Sequence, residues 1–141
     1  MVSLRPATEA DQSVIRRMVL AARLDPTSLN WKNFIVAVDG VEIVGVAQVK
    51  PYPDCRELGS LVVRPAYRNR GIGGRLIEAL LQHERGDVYL LCASSLAPYY
   101  SRFGFVIIDD AQAPATLRRK LRLASLFRLA GVRVVAMKRA A

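Results

Sequence analysis

Residues 61–81 read LVVRPAYRNRGIGGRLIEALL, a stretch that passes from an apolar segment through a basic, glycine-rich turn into a helical pattern. The apolar residues 61–63 are typical of the end of a buried strand, which Pro65 ends. Beyond the glycines, apolar side chains recur at helical spacing at Leu76, Ile77, Leu80 and Leu81. The stretch therefore predicts a strand followed by a helix, and the other predicted elements are arranged around it.

Gly71, Gly73 and Gly74 lie at the predicted start of this helix. A glycine within a helix costs roughly 1 kcal/mol relative to alanine, so three together indicate that a bound group approaches the backbone closely. The N–H groups at a helix start lack intrahelical acceptors and lie at the positive end of the helix dipole, which favours an anion. Because Arg68 and Arg70 lie beside them, we predict a phosphate-binding turn. The alternative is a glycine-rich turn with solvated arginines.

The spacing of the glycines distinguishes this turn from two other phosphate-binding motifs. The pattern is Arg68-x-x-Gly71-x-Gly73, and the third glycine of the dinucleotide-binding motif GxGxxG would fall on Leu76. A P-loop needs Gly-Lys-Ser/Thr after its glycines, and this sequence has none there. The turn therefore matches neither motif.

Two motifs, taken together, resemble those of the GNAT N-acetyltransferase superfamily. The first is Val-x-Pro-x-Tyr-Arg at residues 63–68, continuing into Arg-x-x-Gly-x-Gly at the helix start, which is similar to the family's acetyl-CoA pyrophosphate site. The second is APYYSRFGF at residues 97–105, which is similar to the family's FYxxxGF block with Tyr99 in the usual phenylalanine place. Their order and separation also match. The resemblance is good over residues 36–105 and poor over residues 109–131.

The resemblance implies an α/β GNAT fold, with a mixed, mostly antiparallel sheet, helices on both faces, and a single N-acetyltransferase domain over residues 1–141. It implies acetyl-CoA as co-substrate, with its pyrophosphate on the N–H groups of residues 70–74 and its pantetheine arm paired with the end of the preceding strand. The N–H of Val63 would serve the thioester carbonyl. The cofactor-binding residues expected on this basis are Leu61, Val62, Val63, Arg68, Asn69, Arg70, Gly71, Ile72, Gly73 and Gly74.

Acetyl transfer also needs a proton acceptor for the amine and a proton donor for the leaving thiolate. Tyr100 matches the tyrosine of the family's block, so the resemblance makes it the candidate general acid; its neighbour Tyr99 and a purely structural aromatic role are the alternatives. Glu57 falls where the histone-acetyltransferase branch has its glutamate base. An acid within an apolar strand is costly unless it is functional or faces an edge. A solvent-facing Glu57, with deprotonation through water and backbone carbonyls, is the alternative.

The rest of the pattern predicts the elements around this site. Thr8 is a good N-cap for the first helix, Asp39-Gly40 is a strong hairpin signal, and Gly45 marks a possible bulge. The continuously apolar run after Asp87 predicts a buried, parallel strand. Strands are predicted at residues 2–5, 34–38, 41–50, 56–63, 88–92, 105–108 and 132–137, and a short helix at 98–102.

Positive charge is concentrated in the tail. The net charge is +9, but the first 110 residues carry thirteen basic and twelve acidic groups, whereas residues 111–141 carry eight basic groups and no acid. Residues 115–130 predict an amphipathic helix. The resemblance implies that this helix borders the acceptor site, where its charge would favour acceptors with a carboxylate over polyamines; a lid over the substrate, a membrane-surface helix and a nucleic-acid face are the alternatives. Its predicted apolar face is Leu117, Leu121, Ala124, Leu126 or Phe127, and Ala130, with Arg118, Arg119, Arg122 and Arg128 mainly off that face.

Two other functions stay open at the level of sequence. A nucleic-acid-binding module is favoured by the pI of about 10.3 and the arginine-rich tail. No known nucleic-acid motif is present, and aromatic residues do not interleave with the basic run, so nucleic acid is not the expected partner. An acyl-CoA sensor of the same fold without turnover is disfavoured because both motifs are intact.

Composition limits the remaining classes. The sequence has no apolar run of about 18 residues and no signal-peptide core, so neither a membrane span nor export is expected. Cys55, Cys92 and His83 do not have metal-site spacing, so no metal is expected. The cysteines are expected as small apolar strand residues of a reduced, cytoplasmic protein, and His83 as a solvated helix residue. The expected partner is an amine acceptor, either an amino acid, another small amine or a peptide; a homodimer is left open.

Overall fold

A computed structural model describes residues 1–126 and 131–141 of this chain. The strands are β1 Val2–Pro6, β2 Phe34–Asp39, β3 Glu42–Pro51, β4 Arg56–Val63, β5 Val88–Ala93, β6 Val106–Ile108 and β7 Val134–Arg139. The helices of more than one turn are α1 Gln12–Ala21, α2 Ile72–Leu81, α3 Ala97–Ser101 and α4 Ala115–Leu126. The end of the predicted helix 115–130, with Phe127, Arg128 and Ala130, lies outside the described residues.

The chain forms two compact units, and β4 contributes residues to both. The first unit comprises residues 1–50 and 58–83, with strand order β1-β2-β3-β4. The second comprises residues 51–57 and 84–141, with strand order β4-β5-β7-β6. The β4–β5 pair is parallel, whereas the β1–β2, β2–β3, β5–β7 and β6–β7 pairs are antiparallel. The predicted mixed, mostly antiparallel sheet is confirmed, as is the parallel strand after Asp87.

Helices cover both faces of the sheet in the first unit. Ile15 and Val19 of α1 belong to one buried cluster with Val46 of β3. Gly45, the next residue back along β3, points to the opposite face because side chains alternate along a strand. There a Cβ would come within 3.2 Å of the Leu76 side chain of α2. Helices on both faces are therefore confirmed for this unit.

The Asp39-Gly40 hairpin is confirmed, and the bulge lies next to the predicted position. Gly40 has a φ of +63°, as a tight hairpin requires. Ala37 pairs with Gly45 and Val38 pairs with Ile43, so the extra residue is Val44. Gly45 itself is explained by the close approach of α2, which leaves little room for a side chain.

In the second unit, α4 packs on β7 through its apolar side. Leu117 and Leu121 are buried against Ala136. These two positions confirm the predicted face, whereas Leu126 is 76% exposed and does not belong to it. Arg119 and Arg122 are exposed, as the amphipathic pattern predicts.

The two cysteines and His83 differ in how deeply they are buried. Cys92 is buried in β5, as expected, but half-buried Cys55 directly precedes β4 and so lies outside a strand. His83 is exposed, as predicted, but it lies just beyond the end of α2 and not in the helix. Within residues 1–126 and 131–141, none of the helices is both long and apolar enough to cross a membrane.

Candidate active site

The predicted phosphate turn forms a sharp left-handed bend at the start of α2. Gly71 is the N-cap, with a φ of +78°, and its carbonyl accepts the Arg75 N–H at 3.1 Å. Asn69 also has a positive φ of +64°, which asparagine tolerates better than most residues. The N–H groups of residues 72–74 belong to the first helical turn and have no intrahelical acceptor. The turn therefore presents donors at a helix start, as an anion site requires.

Three side-chain contacts hold this turn in place. The Tyr67 hydroxyl donates to Asp39 Oδ2 at 2.7 Å, which ties the turn to the β2–β3 hairpin. The Arg70 guanidinium lies 5.0 Å from the centroid of the Tyr67 ring, a cation–π contact. Arg68 Nε donates to the Val63 carbonyl at 3.2 Å, across the turn. Both arginines are thus held between the end of β4 and the start of α2.

The conformation of Gly71 gives a prediction about stability. A Cβ at Gly71 would meet no atom within 4 Å, so an alanine there is opposed only by the left-handed backbone. We expect Gly71→Ala to lower the free energy of unfolding by about 1–2 kcal/mol, measured by urea denaturation. Gly86→Ala is the matched control, since Gly86 is equally open but lacks a positive φ. Equal stabilities of the two variants would contradict the prediction.

The strand that leads into the turn is bent at a residue that the sequence pattern does not distinguish. Ser60 has a φ of +54° in the middle of β4, a left-handed conformation that a serine adopts rarely. Its hydroxyl accepts from Gln48 Nε2 at 2.9 Å. Residues 61–63, expected to bind the pantetheine arm, follow this bend and are half-buried. The bend sets the direction of the strand end that carries them.

The segment after α1 is tied to β3 by buried polar side chains. Lys50, only 2% exposed, places Nζ 3.2 Å from both Asp25 Oδ2 and the Thr27 carbonyl. Gln48 Nε2 also donates to the Ser28 carbonyl at 3.0 Å. These contacts were not predicted from the sequence, because Gln48 and Lys50 lie within a strand that is otherwise apolar. They fix the loop over residues 25–28 on the sheet.

Tyr100 lies on α3 within an aromatic cluster. Its ring is edge-on to Tyr99, with centroids 5.2 Å apart, and to Phe105 at 6.5 Å. Burial, reinforced by Cys92 and Tyr99, raises the pKa of Tyr100 to about 12. The hydroxyl therefore keeps its proton at neutral pH. Tyr99 packs instead on Phe103 and lies under the Arg102 guanidinium.

Glu57 lies on β4 opposite Tyr89 and is buried, with 6% of the residue exposed. The alternative of a solvent-facing Glu57 is therefore wrong. Its Oε1 accepts from Lys120 Nζ at 2.8 Å, and Lys120 also donates to the Tyr52 hydroxyl at 2.6 Å. Lys120 was missed at the level of sequence because it is 63 residues from Glu57 along the chain, and Tyr52 because it lies in the loop before the strand. The one signal in the sequence was that Glu57 is the single acidic residue of an apolar strand, where a buried carboxylate needs a cation as its partner.

A second contact positions α4 over this carboxylate. Asp54 accepts from the Thr116 N–H at 3.0 Å and from its hydroxyl at 2.7 Å, so Asp54 satisfies a free N–H in the first turn of α4. The Thr116 N–H lowers the pKa of Asp54, with the hydroxyl adding to it. Lys120 lies one turn further along the helix. The loop before β4 thus holds α4 at a position from which Lys120 contacts Glu57.

Solved acetyltransferases have this fold. The chain matches N-acetylglutamate synthase from Neisseria gonorrhoeae, complexed with coenzyme A and N-acetyl-glutamate, with a TM-score of 0.80 and 19% identity over 99% of this chain and 35% of that one. It matches Rv2747 from Mycobacterium tuberculosis, in complex with CoA, with a TM-score of 0.74 and 19% identity over 99% of both chains. A GNAT-family acetyltransferase from Staphylococcus aureus gives 0.71 and 16% over 99% of both.

Comparison with known sequences also finds relatives of this chain. The mycothiol acetyltransferase of Thermobispora bispora is 44% identical over 77 residues, which are 53% of this chain and 25% of that protein. This chain therefore spans about a quarter of the length of the curated relative it matches. The family model of the acetyltransferase (GNAT) domain matches residues 30–107, which include both Glu57 and Tyr100. That range is more than half of the sequence, and the chain belongs to the GNAT acetyltransferase family.

Proposed function

We propose that this chain is an acetyl-CoA-dependent N-acetyltransferase that moves the acetyl group directly from the thioester to the amine of an acceptor. The observation that carries the proposal is the left-handed, glycine-rich start of α2 with Arg68 and Arg70 beside it. The CoA complexes of the Neisseria and Mycobacterium structures support CoA as the donor. The acceptor classes are an amino acid, another small amine or a peptide, and the Neisseria complex with N-acetyl-glutamate supports the first.

The turn has the chemistry to bind the pyrophosphate of CoA. Backbone N–H groups of residues 70–74 donate to phosphate oxygens, and glycines at 71, 73 and 74 leave the backbone accessible. Arg68 and Arg70 supply charge, and Asn69 contributes the bend between them. Residues 61–63 offer strand backbone to the amide groups of the pantetheine arm. We assign the Val63 N–H to the thioester carbonyl, where negative charge develops.

Tyr100 is the proposed general acid. The amine nitrogen forms a bond to the acetyl carbon, the carbon–sulfur bond breaks, and the CoA thiolate takes a proton from the Tyr100 hydroxyl. Because its pKa is raised to about 12, the Tyr100 hydroxyl carries its proton at neutral pH, as a general acid must when the thiolate leaves. Phe105 and Tyr99 fix the orientation of its ring.

Glu57 is the proposed base for the acceptor ammonium. It is a buried carboxylate that already accepts a hydrogen bond from one ammonium group, that of Lys120. A carboxylate has about four lone-pair positions on its two oxygens, so it can accept from an acceptor ammonium as well. Deprotonation through water and backbone carbonyls is the competing route.

We expect Glu57→Gln to lower the rate of acetyl transfer at neutral pH by about 10²-fold, with partial recovery at high pH. The recovery is expected because the free amine of the acceptor then forms without a base. The measurement is the pH–rate profile with the best acceptor. Thermal unfolding of the variant at each pH controls for the loss of the Lys120 ion pair. A wild-type pH profile in the variant would assign Glu57 a structural role only.

Release of CoA thiol tests the proposed function as a whole. Acetyl-CoA is incubated with a panel of amines, and thiol release that depends on the amine supports the transferase. CoA binding without thiol release in the presence of any acceptor would favour the sensor alternative.

Nucleic-acid binding is not favoured. Two basic residues of α4 make internal contacts, Lys120 with Glu57 and Arg118 with the Ala113 carbonyl.

A further inference from the structure

A cleft of about 650 Å³ lies in the first unit, between the start of α1 and residues 26–32, and is here termed the α1 cleft. Small-molecule sites in proteins usually have volumes of roughly 300–1,000 Å³. None of the residues that line the α1 cleft belongs to the proposed CoA turn, and neither Glu57 nor Tyr100 is among them. The residues that the argument uses are Glu9, Gln12, Arg16, Leu29, Trp31 and Lys32.

Hydrogen bonds hold the walls of the α1 cleft in place. The Gln12 side chain donates from Nε2 to the Leu29 carbonyl at 2.6 Å, and its Oε1 accepts from the Trp31 N–H at 2.9 Å. Asn30 Oδ1 accepts from the Lys32 N–H at 3.0 Å. Half-buried Trp31 also packs against the buried cluster of the first unit. The walls are therefore fixed before a ligand arrives, which keeps the entropic cost of binding low.

The charged side chains of the α1 cleft favour an anion. Arg16 and Lys32 are exposed, and neither forms an ion pair with any residue in the ranges 1–126 and 131–141. In the part of the chain that the structure describes, the one carboxylate that lines the cleft is Glu9. A guanidinium and an ammonium can both donate charge-assisted hydrogen bonds to one carboxylate. The cleft is therefore complementary to a molecule with a single negative charge.

The apolar part of the α1 cleft lies next to this charge. Lys32 Nζ is 5.9 Å from the centroid of the Trp31 ring, and Leu29 lines the same wall. We propose that the α1 cleft binds a small monocarboxylate that carries an apolar group, with the carboxylate on Arg16 and Lys32 and the apolar group against Trp31. A dicarboxylate would bring a second anion near Glu9, which is repulsive.

One side chain connects the α1 cleft to the strand of the proposed active site. Ser28 lines the cleft, and its carbonyl accepts from Gln48 Nε2 at 3.0 Å. The same nitrogen donates to the hydroxyl of Ser60, at the bend of β4. The carboxylate can therefore come from two sources, the acceptor of the proposed transferase or an effector that is not acetylated. Only the first source rests on the proposed function.

Trp31 is the single tryptophan of the sequence, so its fluorescence reports binding in the α1 cleft without any need for activity. The full chain is titrated with 3-phenylpropionate and with its neutral amide, 3-phenylpropionamide, neither of which has an amine to acetylate. We expect the carboxylate to bind roughly 5- to 20-fold more tightly than the amide at low salt, because two exposed cations contribute. The difference should decrease at high salt.

Variants of the cleft separate recognition from folding. Arg16→Met and Lys32→Met should each weaken binding of the carboxylate about 3- to 5-fold, the effect of losing one exposed ion pair, and leave the amide unchanged. Arg17→Met is the matched control, because Arg17 is an exposed arginine of α1 that does not line the cleft. Glu9→Gln removes the repulsive carboxylate and should strengthen binding about 2- to 3-fold, a gain that misfolding cannot produce. Thermal unfolding of each variant reports whether it is folded.

The outcomes separate the inference from the proposed function. The inference is overturned by the absence of a saturable fluorescence change, by equal affinities for carboxylate and amide, or by a loss in Arg17→Met as large as in Arg16→Met. Each of these leaves the transferase in place, because binding is measured without acetyl-CoA. Conversely, a wide amine panel that releases no CoA thiol overturns the transferase and leaves the binding result unaffected.

Turnover then identifies the source of the carboxylate. If 3-phenylpropionate competes with the best acceptor, and the KM for that acceptor rises in Arg16→Met, the acceptor occupies the α1 cleft. If 3-phenylpropionate binds without competing, the cleft takes a separate carboxylate that is not acetylated. Both results support the binding site.

Discussion

Replacement of Tyr100 by phenylalanine should lower the rate of acetyl transfer by roughly 10²–10⁴-fold, the usual cost of losing a general acid. The change removes one oxygen and leaves the ring in its contacts with Tyr99 and Phe105. CoA affinity should therefore change little, and the loss should be in kcat. The measurement is steady-state thiol release, together with CoA binding by calorimetry.

Tyr99→Phe is the matched control for this experiment. Tyr99 is the adjacent tyrosine on α3, and its ring packs on Phe103 and Arg102. If its variant loses activity while Tyr100→Phe retains it, the proton donor has been assigned to the wrong neighbour. Because the pKa of Tyr100 is about 12, its ionisation should also produce no loss of rate between pH 7 and 10.

Replacement of Gly73 by valine should weaken CoA binding by roughly 10²–10⁴-fold, the expected loss when about two charge-assisted hydrogen bonds are blocked. Gly73 is the second residue of α2, where the proposed pyrophosphate contacts the backbone. A branched side chain there occupies the space assigned to the phosphate. Valine has a better helix propensity than glycine, so α2 itself should not be weakened.

The measurement is the dissociation constant for CoA, with thermal unfolding as the control for folding. Desulfo-CoA, which keeps the pyrophosphate, should lose affinity in parallel, since the thiol is not part of this contact. Gly73→Ala adds a smaller group and should give an intermediate loss. Unchanged CoA affinity in Gly73→Val would mean that the pyrophosphate does not bind at this turn.

Local sequence patterns were sufficient for the elements on which the proposed site is built. The predicted strand at residues 56–63 coincides with β4, and α2 begins directly after Gly71. Such elements can be predicted because they depend on apolar periodicity and glycine positions within a short stretch of sequence. The last strand is shifted, to Val134–Arg139 from a predicted start at 132, because an apolar run does not itself define where pairing begins.

Contacts between side chains of distant segments could not be predicted from the sequence. Nothing near Glu57 in the sequence indicates that its partner is Lys120, because the contact depends on how α4 docks on β7. The same holds for Ser60, whose left-handed backbone has no local signature in a serine. The elements that carry the proposed site could thus be predicted, whereas the groups that surround the proposed base could not.

The contacts of α4 with the loop before β4 also constrain the order in which the protein forms during synthesis. Asp54 and Thr116 are separated by 62 residues, and Glu57 and Lys120 by 63. Both carboxylates leave the ribosome well before their partners exist, and closing so long a loop carries an entropic cost that shorter contacts do not. Lys50 and Asp25, by contrast, are 25 residues apart and are available early. The first unit can therefore begin to fold on the nascent chain, while the Glu57–Lys120 pair must wait until α4 has been synthesised.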